Sequence, residues 1–214
     1  KSEFNFIIGD IMFAIVESGS ITSMPRGNKG VEINGVKHPA SIFTLWSESE
    51  RNAIGVYTIQ IDNTNLKDEQ WYINTGMSYA YDSSANKVKG TYGTATARAH
   101  ADTLWTEKDK TDGLIPSDKD VGDVASEGLK TILIRQVKRD SETILNETDW
   151  YITRKSEKST AIPSSITTHR DAVRTKQAEM ETAITNAADT AALETLYSRN
   201  DSGVRPLGDL PRLT

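Results

Sequence analysis

A chain without cysteine must rely on histidine and the carboxylates for metal binding or nucleophile activation, and this sequence holds three histidines, His38, His100 and His169. None of them has the HxxxH or HExxH spacing that brings two ligands to one helical face. His169 is more simply read as a polar residue within a helical seam, where it sets register. Asp118-Lys-Asp-Val-Gly-Asp123 is the nearest approach to a calcium loop. An EF-hand needs carboxylates at positions 1, 3 and 5, glycine at 6 and glutamate at 12. Counting from Asp118, glycine falls at 5 and Leu129 at 12, so the segment reads as an incidental acidic loop. No P-loop, Gly-x-Gly-x-x-Gly or Gly-x-Ser-x-Gly occurs, and nothing selects a catalytic pair from the acidic residues. No catalytic, cofactor-binding or metal-ligating residue is assigned, and the chain is not expected to be an enzyme.

Two other patterns carry possible chemistry. Tyr57, Trp71, Tyr72, Tyr79, Tyr81 and Tyr92 would form a sugar- or base-stacking platform if they shared one exposed face. Core and cross-strand packing is the expected role. Asn146-Glu-Thr148 and Asn200-Asp-Ser202 match the glycosylation acceptor pattern. Neither is expected to be used, because no secretory signal features accompany them.

Composition narrows the classes further. The net charge of −5 argues against a dedicated nucleic-acid binder, which concentrates Lys and Arg against phosphate. No apolar run approaches the roughly 20 residues that span a bilayer, so no membrane partner is expected. Only 36% of residues are hydrophobic and the mean hydropathy is −0.50. That implies a thin core, an elongated shape, or a core completed by partner subunits. Residues 1–11 precede Met12, which opens the first clear strand and is a candidate internal start. In that case they form an added arm whose apolar "FNFII" needs a neighbour to cover it.

The expected fold class is α+β: an N-terminal β-rich unit with a short helix, then a C-terminal helical hairpin and an extended tail. Residues 1–94 form the β-rich unit. "MFAIV" and "ITS" flank a glycine turn, and "VEI-NG-VKH" predicts a hairpin with Asn34-Gly35 in a type I′ turn. Pro39 ends that strand. "ASIFTLWSESERNAIG" has helical spacing at Ile42, Leu45, Trp46 and Ile54, with Ser41 as N-cap and Gly55 as the stop, which gives the unit one or two short helices. "VYTIQID" alternates as a half-buried strand, with Tyr57, Ile59 and Ile61 on one face. "QWYIN", "MSYAYD" and "KVKGTYG" supply further strands.

Residues 95–128 read as a polar loop or linker. Over residues 129–200 the period becomes helical. Leu129, Ile132, Leu133, Val137, Ile144 and Leu145 fall mostly on one face. A second helix opens at Pro163, and Ile162, Ile166, His169, Val173, Gln177, Met180 and Ile184 step along it as a near-heptad seam with polar members. The seam wants a partner helix, for which residues 129–145 of the same chain are available. Between the helices lies "LNETDWYI", a hinge at which Trp150 and Ile152 fold back on the flanking helices. Trp150 is expected to fix the interhelical angle by burying its large rigid ring. A short third helix, "TAALETLYSR", is capped by Asp189 or Thr190. Residues 201–214, rich in Gly and Pro, form an extended arm. The expected oligomer and hinge interface is Trp150, Ile162, Ile166, His169, Val173, Met180 and Ile184.

The hinge carries a resemblance. The run from Leu145 to Ile184 resembles the C-terminal segment of phage tail-assembly-chaperone-like and tail-fibre-associated proteins. The matching residues are Leu145, Thr148, Asp149, Trp150, Pro163, His169, Arg170, Ala172, Val173 and Arg174. The run from Val31 to Ile59, containing "NGVKHPASIFTLWSESER", is similar to the N-terminal part of structural proteins of phages that infect marine bacteria. Together these cover about two-thirds of the chain and leave out residues 95–128. The resemblance brings no catalytic residues with it. It implies a virion structural protein of a tailed bacteriophage, in the tail, baseplate or tail-fibre attachment. Its expected partners are other phage tail proteins and copies of itself. A trimer follows only by analogy with fibre symmetry. The implied location is the virion tail, with the host cytoplasm as the site of assembly. A non-virion tail-fibre assembly chaperone and a host-glycan-binding module are the alternatives.

Overall fold

In a computed structural model, which describes residues 12–213, the chain is α+β and divides into two compact units, one ending at Thr96 and the other starting at Ala97. The segment 1–11, and with it the expected arm, lies outside the described residues.

The first unit contains Phe13–Glu17 (β1), Ser20–Ser23 (β2), Val31–Ile33 (β3), Val36–His38 (β4), Ile42–Leu45 (α1), Glu48–Ala53 (α2), Val56–Asp62 (β5), Tyr72–Ile73 (β6), Met77–Asp82 (β7) and Lys87–Tyr92 (β8). Five strands form one sheet in the order β2-β1-β5-β8-β7. All neighbours are antiparallel except β5 and β8, which run parallel with Ile59 opposite Val88. The sheet curls enough that its edge strands, β2 and β7, come close to each other. Ala14, Val16, Tyr57, Ile59 and Val88 fill the inside of that curl, joined by Ile21, Tyr79 and Tyr81. The intervening residues point the other way. Phe13, Ile15 and Val56 pack with Ile33, Ile42 and Phe43 beneath the β3–β4 hairpin and α1. Strands β1 and β5 thus bury both faces, which is why "FAIV" is a continuous apolar run.

Both predicted hairpin turns form, with left-handed Ser18-Gly19 and Asn34-Gly35. The helical stretch over 41–54 forms two short helices. Trp46 is extended, and Ser47 caps α2 in a capping box with Glu50. Ser41 precedes α1 without capping it. Gly55 ends the segment as expected, at φ +86°, where a Cβ would lie 2.5 Å from the Val16 carbonyl oxygen. The alternation read along β5 fails at its end, since Ile61 is exposed.

Residues Thr96–Ala97 (β9) lie at the boundary between the units. The second unit then contains Thr103–Leu104 (β10), Glu107–Thr111 (α3), Val124–Ser126 (β11), Leu129–Asn146 (α4), Asp149–Lys158 (α5), Ser164–Asn186 (α6) and Thr190–Tyr197 (α7). The segment 95–128 is exposed but is not a free linker. β10 pairs with β11, and Trp105 exchanges backbone hydrogen bonds with Gly122 and Asp123. The Ala99 and His100 carbonyls accept from the Leu129 and Lys130 N–H groups. Asp102 anchors the start of α4 by accepting from the Gly128 N–H, 26 positions downstream, at 2.7 Å and from the Thr131 hydroxyl at 2.9 Å. Those two donors hold its carboxyl below the usual range.

Helices α4 and α6 pack together. Lys130 reaches Thr185, Lys138 reaches Glu181, and the Leu145 carbonyl reaches Arg170. Partner numbers fall as α4 advances, so the pair is an antiparallel hairpin. Leu129, Leu133, Val137 and Ile144 are buried on α4, whereas Ile132 is exposed. Asp189, rather than Thr190, caps α7. The tail is irregular, but it folds back and is not an extended arm. Leu207 is buried and donates to the Leu196 carbonyl, and Asp209 pairs with Arg199 and Arg205.

Candidate functional site: the Arg170 junction and the α5 face

The resemblance and the hinge converge where α4, α5 and α6 meet. Arg170 is only 8% exposed, and its Nη1 lies 2.7 Å from the Leu145 carbonyl oxygen, 2.6 Å from Thr148 Oγ1 and 2.8 Å from Asp149 Oδ1. Thr148 is itself buried and donates its hydroxyl to the Leu145 carbonyl at 3.0 Å. One guanidinium nitrogen therefore occupies a carbonyl freed at the end of α4, the residue ahead of α5, and the first carboxylate of α5. Asp149 also sits in the first turn of α5, where its charge favours the helix N-terminus.

Of the predicted interface residues, Ile166, His169, Val173, Met180 and Ile184 are all buried on α6. Because α4 packs along that helix, the seam has a partner within the chain. Ile162 precedes α6 and is half-buried. Trp150 departs from expectation most. It is 51% exposed, and Arg170 supplies the hinge fixation that its ring was expected to provide. The reason is geometric: Trp150 is the second residue of α5, a helix with no buried residue at all. Its ring stacks on Tyr151 at 3.7 Å, with the Arg154 guanidinium 4.7 Å from the Trp150 ring centre and 5.2 Å from that of Tyr151.

In the sequence Arg170 stands out only as a member of the motif. A long cation directly beside seam residue His169 was the available signal. An arginine is buried only when paired.

Among the described residues no group of three or more His, Asp or Glu could hold a metal ion. His38 lies edge-on to Trp46 at 6.1 Å, and the carbonyl of His100 accepts from the Lys130 N–H. Tyr57 and Trp71 are buried, so the aromatic platform is not presented. Tyr57 instead meets Tyr81 at 5.0 Å, and both hydroxyls reach Asn86 Oδ1. Burial, with the Tyr81 hydroxyl second, raises the Tyr57 phenol to about 12. The glycosylation pattern at 146–148 runs into the buried Thr148.

A cavity of about 430 Å³ opens beside Asp140, Ile144, Met180, Arg205, Asp209 and Leu210. Two of its charged groups, Arg205 and Asp209, already pair at 2.9 Å. No helix among the described residues is long and apolar enough to cross a membrane. No family model matches the chain, and no curated protein or solved structure matches it.

Proposed function

We propose that this chain is a structural component of a tailed-bacteriophage virion, located in the tail, baseplate or tail-fibre attachment, and that it acts through protein–protein contacts. The observation that carries this is the Arg170 junction. Leu145, Thr148, Asp149 and Arg170, four residues of the phage tail resemblance, are the four joined by one guanidinium. In the resemblance they stand as a sequence pattern, and here they form one joint between helices. A motif that builds a joint suits an assembly part better than a catalyst. Trp150, the motif residue left half in solvent, is available to a neighbour. The partners proposed are other tail proteins.

Quantitative mass spectrometry of purified particles and of the infected-cell lysate tests this. The chain is expected in particles at a fixed copy number that is a multiple of three or six. Its absence from particles, with abundance in the lysate, would overturn the proposal and support a tail-fibre assembly chaperone instead.

A further inference from the structure

Helix α5 presents a cationic face for which no ion pair forms among the described residues. Trp150, Arg154 and Lys158 follow one another at four-residue intervals, and Tyr151 and Lys155 widen the same side to an arc of about 140°. Among the described residues, no carboxylate forms an ion pair with Arg154, Lys155 or Lys158. Of the acids on the helix, Asp149 is held by Arg170 and Glu157 is the only other. The face therefore runs from an exposed aromatic end to a cationic end.

The loop between α3 and β11 has the opposite character in the same order. Leu114 is 58% exposed and Pro116 is exposed beside it. Asp118 and Asp120 follow, with Lys119 between them, and neither aspartate carboxylate forms an ion pair among the described residues. The base of the loop is fixed. Trp105 donates to the Asp123 carbonyl and Gly122 donates to the Trp105 carbonyl, both at 2.9 Å, while the Lys119 N–H closes a turn on the Pro116 carbonyl at 3.0 Å. The loop is thus a preformed apolar-to-acidic surface. Both surfaces belong to the second unit, and both face solvent within a single copy.

We infer that the α5 face is a docking site for a second copy of this chain, which inserts its 114–120 loop. Leu114 and Pro116 cover Trp150, and Asp118 and Asp120 lie against Lys155, Lys158 and the open side of Arg154. The complementarity of charge and of polarity gradient commits the occupant. Each copy then carries one donor and one acceptor surface, so the contact is heterologous and builds a ring where its rotation closes and an open filament where it does not. The inference stands on the isolated chain and is independent of where the protein works.

Sedimentation velocity of the full chain over a range of concentrations tests it. The wild type is expected to associate, more weakly as salt is raised. Lys155→Glu with Lys158→Glu, and separately Asp118→Lys with Asp120→Lys, should each weaken association by about tenfold or more. All four residues are exposed, so both variants should keep the wild-type circular dichroism. An equimolar mixture of the two variants restores opposite charges at both surfaces and should recover association. A synthetic peptide of residues 107–123 should compete. A wild type that stays monomeric, or association that neither variant changes, would overturn the inference. Loss in the α5 variant without recovery in the mixture would overturn the named occupant and leave α5 to a different acidic partner.

Discussion

The two units hold themselves together by different means. In the first, β1 and β5 send alternate side chains to opposite faces, and apolar clusters close on both sides. In the second, Thr148, Arg170 and Thr190 are buried among apolar residues and each is hydrogen-bonded. Apolar packing needs only shape and volume, so it tolerates approximate partners. A buried polar group needs a particular partner at hydrogen-bond distance, so it specifies one arrangement, and its failure is local. The difference makes the first unit a generic core and the second a jointed one. The joint is Arg170.

The comparison breaks most visibly at Phe13. Its ring is buried, packs 4.7 Å from Phe43, and carries the Arg51 guanidinium at 5.4 Å from its centre. Phe13→Ala should cost about 3–5 kcal/mol, read by chemical denaturation with Trp71 and Trp46 fluorescence reporting on the first unit. The helical signal of the second unit should persist at denaturant concentrations that melt the sheet. If both units melt together, they are one cooperative unit and the contrast collapses.

Arg170→Met keeps the bulk of the side chain and removes its donors. The Leu145 carbonyl and Thr148 hydroxyl lose a partner, while Asp149, 53% exposed at its side chain, regains water. The expected cost is about 2–3 kcal/mol, well below that of a fully buried ion pair. Hydrogen exchange should quicken at the α4–α5 junction and leave β5 and β8 unchanged. A uniform rise across α4 and α6 would mean that the joint is not local.

Gly55→Ala places a Cβ at a positive φ and against the Val16 carbonyl. A loss of about 1–3 kcal/mol is expected in the first unit. Trp150→Ala, by contrast, removes an exposed ring that carries the Arg154 guanidinium. Its effect on folding stability should not exceed about 1 kcal/mol. A larger loss would restore the buried-hinge role that its position in the sequence suggests.

The subtlest test is alkaline. The Tyr57 phenol is raised to about 12 against an ordinary value near 10. The folded state therefore keeps its proton where the unfolded chain has lost it. That stabilisation is present below pH 10 and declines as pH rises toward 12. Tyr57→Phe should flatten this alkaline decline in the stability of the first unit. An unchanged decline would locate the titrating group elsewhere.

Much of this was legible. "VEI-NG-VKH" requires positive φ at two successive residues, and Asn-Gly supplies it, so the β3–β4 turn follows from sequence alone. The α6 seam followed from its period. The break at Trp46 was also legible in Ser47-x-x-Glu50, a capping box that apolar spacing across 42–54 concealed. The anchoring of residues 95–128 was less so, because Asp102 accepts from the Gly128 N–H 26 positions later, at the start of α4, and no local window holds both groups. The same holds for the folded-back tail, where Asp209 finds Arg199 and Arg205.

The sequence by itself determined what depends on neighbours in the chain: the hairpin turns, the amphipathic periods of α4 and α6, the absence of cysteine chemistry, and the change from period two to helical period near residue 129. Only the tertiary structure decided the parallel pairing of β5 with β8, the outward turn of Trp150 and the burial of Arg170. Periodicity reports which face of an element is apolar. It does not report which distant carbonyl or carboxylate will meet a buried cation, since that meeting is made by the packing of three helices.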